Sequence, residues 1–275
     1  MIRNILAFGV LPHYGNPKES NHSDGHGGTS HSHIGHGDHD SSVQTASNLK
    51  ASFTFASGVA KTNTDVELNI QIKDNEGNLV KEFERSHEKL LHLIVVNKDL
   101  SYFSHIHPEY DGNGNFKINT TFLNGGGYKF FADILPKGGS STTLSEWVKV
   151  EGEEKALEPI EADTKLVKVV DGKEIELTIS NTTAKDEITL TFNIVDAQTK
   201  KGISNLEQYL GAVGHVVILS DDAEQYLHVH PMDEKATGPK AEFMTSFPKS
   251  GTYKIWGQFQ HQGEVFTVPF AVDIK

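Results

Sequence analysis

The chain has 275 residues, and its 37 acidic and 25 basic side chains give a formal net charge of −12. This charge argues against nucleic-acid binding, which needs a basic surface, and it favours cationic partners such as metal ions. Cysteine is absent, so disulfides, thiolate nucleophiles and thiolate metal sites are excluded, and any metal must be held by imidazole, carboxylate or thioether groups.

The first 14 residues look like a degenerate export signal. Arg3 precedes a short apolar run from Ile5 to Leu11. The next residues have the spacing of a bacterial lipoprotein cleavage box, but Tyr14 stands where the lipidated cysteine would be. We therefore expect an extracytoplasmic protein (secreted, periplasmic or cell-surface), with membrane-surface association as an option. The alternative is an ordinary apolar N-terminus.

Residues 15–48 are rich in histidine, serine, glycine and aspartate, and they lack the apolar residues that build a core. This composition predicts a disordered segment that captures Zn, Cu or Ni ions loosely. The alternative is a polar tether that is rich in histidine by chance. The weaker metal-ligand candidates in this segment are His22, His26, His31, His33, His36 and His39.

Two similar halves follow, over residues 49–151 and 165–275, and a charged linker over residues 152–164 joins them. Apolar and polar residues alternate in Val66–Ile72 and in Ile188–Phe192, which indicates β-strands. About seven short strands per half predict an all-β protein with two tandem β-sandwich domains of immunoglobulin-like or cupredoxin-like kind.

The spacing His-x12-His-x-His-Pro occurs once in each half. Histidine is the commonest metal-binding side chain, so three histidines kept in register twice predict two related metal sites. Zn(II) and Cu(II) both suit a three-imidazole site, and Ni(II) suits it less well. The principal ligand candidates are His92, His105 and His107 in the first half and His215, His228 and His230 in the second.

Each motif is predicted to lie on a β-hairpin. A turn centred on Lys98 and Asp99 puts His92 opposite His105, and the equivalent turn in the second half puts His215 opposite His228. Side chains alternate along a strand, so all three imidazoles of each motif emerge on one face. A slip of one residue in the register would separate them.

Other residues near the motifs are weaker candidates. Met232 follows the second motif and could add a thioether ligand, and Glu109 and Asp233 could orient an imidazole from behind. The segment His87–His92 resembles the H-E-x-x-H motif of zinc proteases, but it is one residue too long for the helical pairing of that motif.

The two halves also match outside the histidines. Leu91–Val96 corresponds to Gly214–Leu219, and Gly127–Phe131 corresponds to Thr252–Trp256. In this organisation the chain resembles bacterial secreted or lipoprotein metal-binding proteins of the copper-handling type, with tandem YtkA-like β-sandwich domains. The resemblance implies a copper-related role, and the missing lipobox cysteine departs from the lipoprotein pattern.

We therefore expect a non-enzymatic, extracytoplasmic protein that holds copper or zinc ions at duplicated three-histidine sites, for metal homeostasis or resistance. One alternative is a metal-dependent oxidase or dismutase-like enzyme, because three protein ligands leave a coordination position open. The other is a structural β-sandwich interaction protein whose histidines only pack.

Overall fold

The computed structural model describes residues 48–275, and the regular elements in this range are β-strands. The predicted export signal lies outside the described residues, as does the histidine-rich segment up to residue 47. Between residues 48 and 275, no helix has the length and apolar character needed to cross a membrane. The two repeats belong to one compact unit.

The first repeat is a sandwich of two sheets. Its strands are β1 (Leu49–Phe55), β2 (Ala60–Lys61), β3 (Asp65–Asp74), β4 (Phe83–Glu84), β5 (Leu91–Asn97), β6 (Phe103–Ile106), β7 (Glu109–Tyr110), β8 (Asn115–Thr121), β9 (Gly126–Pro136) and β10 (Thr142–Glu151). One sheet has the order β1-β3-β8-β7, and the other has the order β2-β10-β9-β5-β6 with β4 beside β9. The short pairing of β2 with β10 is parallel, and the other strands of these sheets pair antiparallel.

The second repeat is built in the same way from two four-stranded antiparallel sheets. Its strands are β11 (Val167–Val170), β12 (Lys173–Ile179), β13 (Ile188–Asp196), β14 (His215–Ser220), β15 (Tyr226–Val229), β16 (Lys240–Thr245), β17 (Gly251–His261) and β18 (Glu264–Ile274). The strand orders are β11-β12-β13-β16 and β15-β14-β17-β18. Thus β14, β15 and β17 take the places that β5, β6 and β9 hold in the first repeat.

Alternating strand residues fill one core in each repeat. In β13, Ile188, Leu190, Phe192 and Ile194 are buried and the residues between them are partly exposed. Each repeat has two sheets and its own apolar cluster, which confirms the predicted all-β fold of two tandem β-sandwiches. The predicted strand number is too low for the first repeat, because three two-residue strands extend its sheets.

Strands β5 and β14 are buried on both faces. In β5, Leu93 and Val95 point into the core of the first repeat, while Ile94 and Val96 join a separate apolar cluster. That cluster, which we call the repeat interface, joins the two halves face to face. Its buried members are Ile94, Val96, Leu100, Phe131, Val217, Leu219, Ala223 and Trp256.

An aromatic stack occurs twice in the repeat interface. Phe103 stacks on Trp256 with ring centroids 4.6 Å apart, and Tyr226 stacks on Phe131 at 4.7 Å. Tyr226 holds the position in the second repeat that Phe103 holds in the first, and Trp256 holds that of Phe131. Each repeat therefore places the aromatic ring at the first of these positions against the ring at the second position of the other repeat, so the interface has approximate two-fold symmetry.

The predicted hairpin register is wrong by two residues in both repeats. Ile94 pairs with His105, and Val217 pairs with His228. The first loop is longer than predicted because the Asn97 side chain accepts a hydrogen bond from the Tyr102 N–H (2.8 Å), and Leu100 is buried in the repeat interface. A register shift of two residues leaves every side chain on its predicted face of the sheet. The three histidines of each motif therefore still lie on the same face.

Candidate metal centre

The three histidines of the first motif converge on one point. His92 Nδ1 lies 3.0 Å from His105 Nε2, and His107 Nε2 lies 3.2 Å from each of these atoms. Two nitrogens bound to one tetrahedral ion at about 2.0–2.1 Å are about 3.3–3.4 Å apart. Among the described residues, these three histidines are the set of three donors whose atoms all lie within 4.8 Å of one another.

The outer nitrogens of His92 and His105 fix where their protons are. His92 Nε2 lies 2.9 Å from the Ser86 carbonyl oxygen, which can only accept, so this nitrogen carries the proton. His105 Nδ1 lies 2.6 Å from Gln258 Oε1, to which it donates, and the Gln258 amide nitrogen donates to Thr267. His92 Nδ1 and His105 Nε2 therefore face each other with lone pairs, as two ligands of a cation would.

In the second motif, the first two histidines face each other as they do in the first motif, but the third histidine lies further away. His215 Nδ1 lies 3.4 Å from His228 Nε2, and His215 Nε2 lies 3.1 Å from the Tyr209 carbonyl oxygen. The ring of His230 is 6.3 Å from that of His215, whereas the equivalent rings in the first motif are 5.0 Å apart. The two predicted sites therefore differ in how closely their rings approach one another.

Each triad belongs to its own repeat, as the sequence predicted, but the two triads lie side by side where the repeats meet. The ring of His228 is 5.5 Å from that of His92 and 5.8 Å from that of His105. The triads come together because Ile94 and Val217, two residues along β5 and β14, pack in the same interface cluster. The six motif histidines thus form one cluster, which we call the histidine cluster.

Each repeat also supplies the outer hydrogen-bond partner of a histidine in the other repeat. His105 Nδ1 donates to Gln258 of the second repeat, and His228 Nδ1 donates to Asp133 of the first at 3.0 Å. Asp133 and Gln258 are equivalent positions, since Asp133 pairs with His92 and Gln258 with His215 in their sheets. Such partners orient a ligand ring and fix its tautomer, and a carboxylate also makes the ring more basic.

Burial keeps the histidine cluster neutral. Desolvation, reinforced by the neighbouring histidines, lowers the pKa of His105 and His107 to about 3, and that of His230, at the rim, to about 4. The pKa values of His92, His215 and His228 are also lowered, with desolvation as the main cause. Neutral imidazole is the form that binds metal ions.

Asp133 is the acidic group inside this cluster. Burial raises its pKa, whereas hydrogen bonds from Thr143 (2.6 Å) and Tyr226 favour the ionised form. The carboxylate therefore accepts bonds from two hydroxyl groups and from His228. An ionised carboxylate at this depth would offset the positive charge of a bound cation.

The weaker ligand candidates lie elsewhere. Met232 is 54% exposed, and its backbone N–H donates to the Glu242 carbonyl. Glu109 and Asp233 are exposed, and Asp133 and Gln258 stand behind the rings instead. The candidates His22, His26, His31, His33, His36 and His39 lie outside the described residues.

Sequence reasoning missed three members of the site. Asp133 and Gln258 lie on β9 and β17, beyond the hairpins, and their matched positions in the two repeats were the available signal. His87 was set aside with the broken protease motif, yet its ring lies 4.0 Å from that of His230 and 5.1 Å from that of His215.

Three solved structures illustrate a weak similarity to the chain. The FdeC adhesin of Escherichia coli is 14% identical (TM-score 0.28), and the alignment covers 83% of this chain and 65% of that one. Invasin, a bacterial integrin-binding protein, is 13% identical (TM-score 0.23; 81% and 39% covered), and MtrC from Shewanella baltica is 8% identical (TM-score 0.26; 82% and 68%). The chain spans less than two thirds of FdeC and of invasin, and similarity this low bears on neither function nor partners.

Family comparison is more informative. No curated protein matches the sequence. The profile described as "Domain of unknown function (DUF8832)" matches residues 44–152 and again residues 168–275. This match names neither a copper-handling nor a YtkA-like domain, so that kinship stays a prediction. Since the two matched ranges cover most of the sequence, the chain belongs to the DUF8832 family and carries two copies of its domain in tandem.

Proposed function

We propose that this protein binds metal ions, zinc or copper, through the histidine cluster in its repeat interface, and that it does so outside the cytoplasm. The observation that carries the proposal is the 3.0 Å contact between His92 Nδ1 and His105 Nε2, two nitrogens whose protons are held on the far side of each ring. Facing lone pairs repel each other, and a proton from His107 can satisfy only one of them at a time. A cation between the three nitrogens satisfies all of them.

The donor set favours particular ions. Three imidazoles with no sulfur ligand suit Zn(II) or Cu(II) better than Cu(I), and they leave a fourth coordination position for water or an incoming ligand. Reversible capture fits this arrangement, since Asp133 is already engaged by three donors and is not placed as a free general base. The histidine-rich segment would collect ions for the cluster, in metal homeostasis or resistance.

This proposal is tested by zinc titration of a full-length variant whose histidine-rich segment can no longer bind metal. In this protein, which we call the arm variant, glutamine replaces His22, His26, His31, His33, His36 and His39. We expect tight zinc binding that competes with a chromophoric chelator. Adding His105→Ala should weaken the tightest site by more than about a hundredfold, because even outer hydrogen-bond partners of a ligand are worth about 10–100-fold. His261→Ala, outside the cluster, is the matched control and should change nothing. Absence of tight binding by the arm variant would refute the proposal.

A second candidate function is a β-sandwich interaction module in which the histidines only hold the repeats together. The burial of the cluster in an apolar interface favours this alternative, because His92 and His215 are 2% and 0% exposed. The two candidates differ in one result. An interaction module should have the same thermal midpoint with and without zinc, whereas a metal-binding cluster should be stabilised by zinc, with a midpoint that rises with the logarithm of the zinc concentration above the Kd.

A further inference from the structure

We propose that a second metal ion is bound across the repeat interface, by His215, His228 and His230 of the second repeat together with His87 of the first. This inference rests on the proposed function. It adds a ligand that lies outside both motifs and comes from the other repeat, and it makes the two sites unequal.

The position of His87 carries the proposal. Its ring centroid lies 4.0 Å from that of His230 and 5.1 Å from that of His215. The three ligand rings of the first site have centroids 4.7–5.3 Å apart. The 5.1 Å distance from His215 falls within this range, and the 4.0 Å contact with His230 is a closer, tilted ring contact. His87 therefore touches both rings that are 6.3 Å apart in the more open second triad.

Two ligand nitrogens of the second site are left unprotonated by the same kind of outer hydrogen bond as in the first site. His215 Nε2 bonds to the Tyr209 carbonyl and His228 Nδ1 bonds to Asp133, so His215 Nδ1 and His228 Nε2 face each other with lone pairs at 3.4 Å. His230 is the most exposed ring of the six, and it stacks against His87. Metal binding would require these two rings to rotate until one nitrogen of each faces His215 Nδ1 and His228 Nε2.

The turn that carries His87 supports a role for its side chain. His87 and Glu88 both have positive φ angles, 45° and 67°, which residues other than glycine rarely adopt. The equivalent turn of the second repeat has Leu210 and Gly211 at φ angles of 53° and 78°. The first repeat thus keeps a strained backbone at both positions and presents an imidazole where the second repeat presents a buried leucine.

This asymmetry gives the two ions different properties. The first site has three histidines of one repeat whose nitrogens already lie 3.0–3.2 Å apart, so it should bind the first ion, and its open position leaves room for an incoming ligand. The second would have four imidazoles, a closed set that suits Zn(II) or Cu(II), with the Asp133 carboxylate behind His228. Because His87 comes from the first repeat, this ion would also tie the two repeats together.

His87→Asn in the arm variant tests the proposal, because asparagine tolerates positive φ and removes the imidazole alone. In zinc competition titrations we expect the arm variant to bind two ions and His87→Asn to weaken one of them by at least about tenfold. Glu88→Gly, which relaxes the same turn, is the matched control and should leave both affinities unchanged. His105→Ala should weaken the other ion.

The possible results separate this inference from the proposed function. Two ions bound equally well by the arm variant and by His87→Asn would overturn the inference and leave the proposed function standing. A single ion lost with His105→Ala and unaffected by His87→Asn would do the same. No zinc bound by the arm variant would overturn both. Equal weakening by His87→Asn and Glu88→Gly would assign the effect to the turn and overturn the ligand role.

Discussion

The metal-free protein is expected to lose stability steeply as the pH falls below about 6.5. Burial lowers the pKa of the cluster histidines, to about 3 for His105 and His107. The unfolded chain therefore binds protons first, and the stability present above pH ~6.5 is lost as the pH falls toward about 3. Each such histidine removes about 1.4 kcal/mol from the free energy of unfolding per pH unit. Urea denaturation at several pH values across this window measures the loss.

His215→Gln tests whether the histidine cluster causes this pH dependence. His215 is 0% exposed and its pKa is lowered by burial, so glutamine should reduce the slope by about 1.4 kcal/mol per pH unit. His261→Gln is the matched control outside the cluster. Saturating zinc should move the acid transition to lower pH, because protons and the ion compete for the same nitrogens. An unfolding free energy that stays constant between neutral pH and pH ~5 would contradict the neutral, buried state of the cluster.

The second large effect is expected from Trp256→Ala, which removes the largest side chain of the repeat interface. Trp256 is 3% exposed and stacks on Phe103. Replacing a buried aromatic residue with alanine costs about 3–5 kcal/mol of unfolding free energy. Zinc affinity should also fall, since Gln258, which orients His105, lies two residues further along the same strand. Denaturant titration and zinc competition measure the two effects.

Trp147→Ala is the matched control for this substitution. Trp147 lies on β10 and is 42% exposed, so its loss should cost about 1 kcal/mol or less. Equal losses for the two tryptophan variants would show that the repeat interface contributes nothing specific. A large loss for Trp256→Ala with unchanged zinc affinity would separate the interface from the organisation of the metal centre.

The sequence predicted those parts of the site that depend on strand periodicity. Alternation alone puts His105 and His107 on one face, and a register error of two residues does not move His92 off that face. The length of the loop could not be predicted, because it depends on side-chain bonds of Asn97 and on the burial of Leu100 against the other repeat.

The sequence of one repeat could not predict which surface of it packs against the other repeat. The unbroken apolar run of β5 indicates a strand buried on both faces, but it does not name the surface that covers the second face. That surface is the equivalent run in β14. The bond from His228 to Asp133 and the contacts of His87 with His215 and His230 exist only because the two repeats meet, so no spacing within one repeat could have identified them.

The position of a single bound ion tests the central claim most directly. Crystals of the arm variant loaded with one equivalent of zinc should give an anomalous difference peak at the zinc edge in the repeat interface. We predict that the ion lies about 2.0–2.1 Å from His92 Nδ1, His105 Nε2 and His107 Nε2. A peak at the protein surface, or none in the interface while the rings keep their present contacts, would contradict the account.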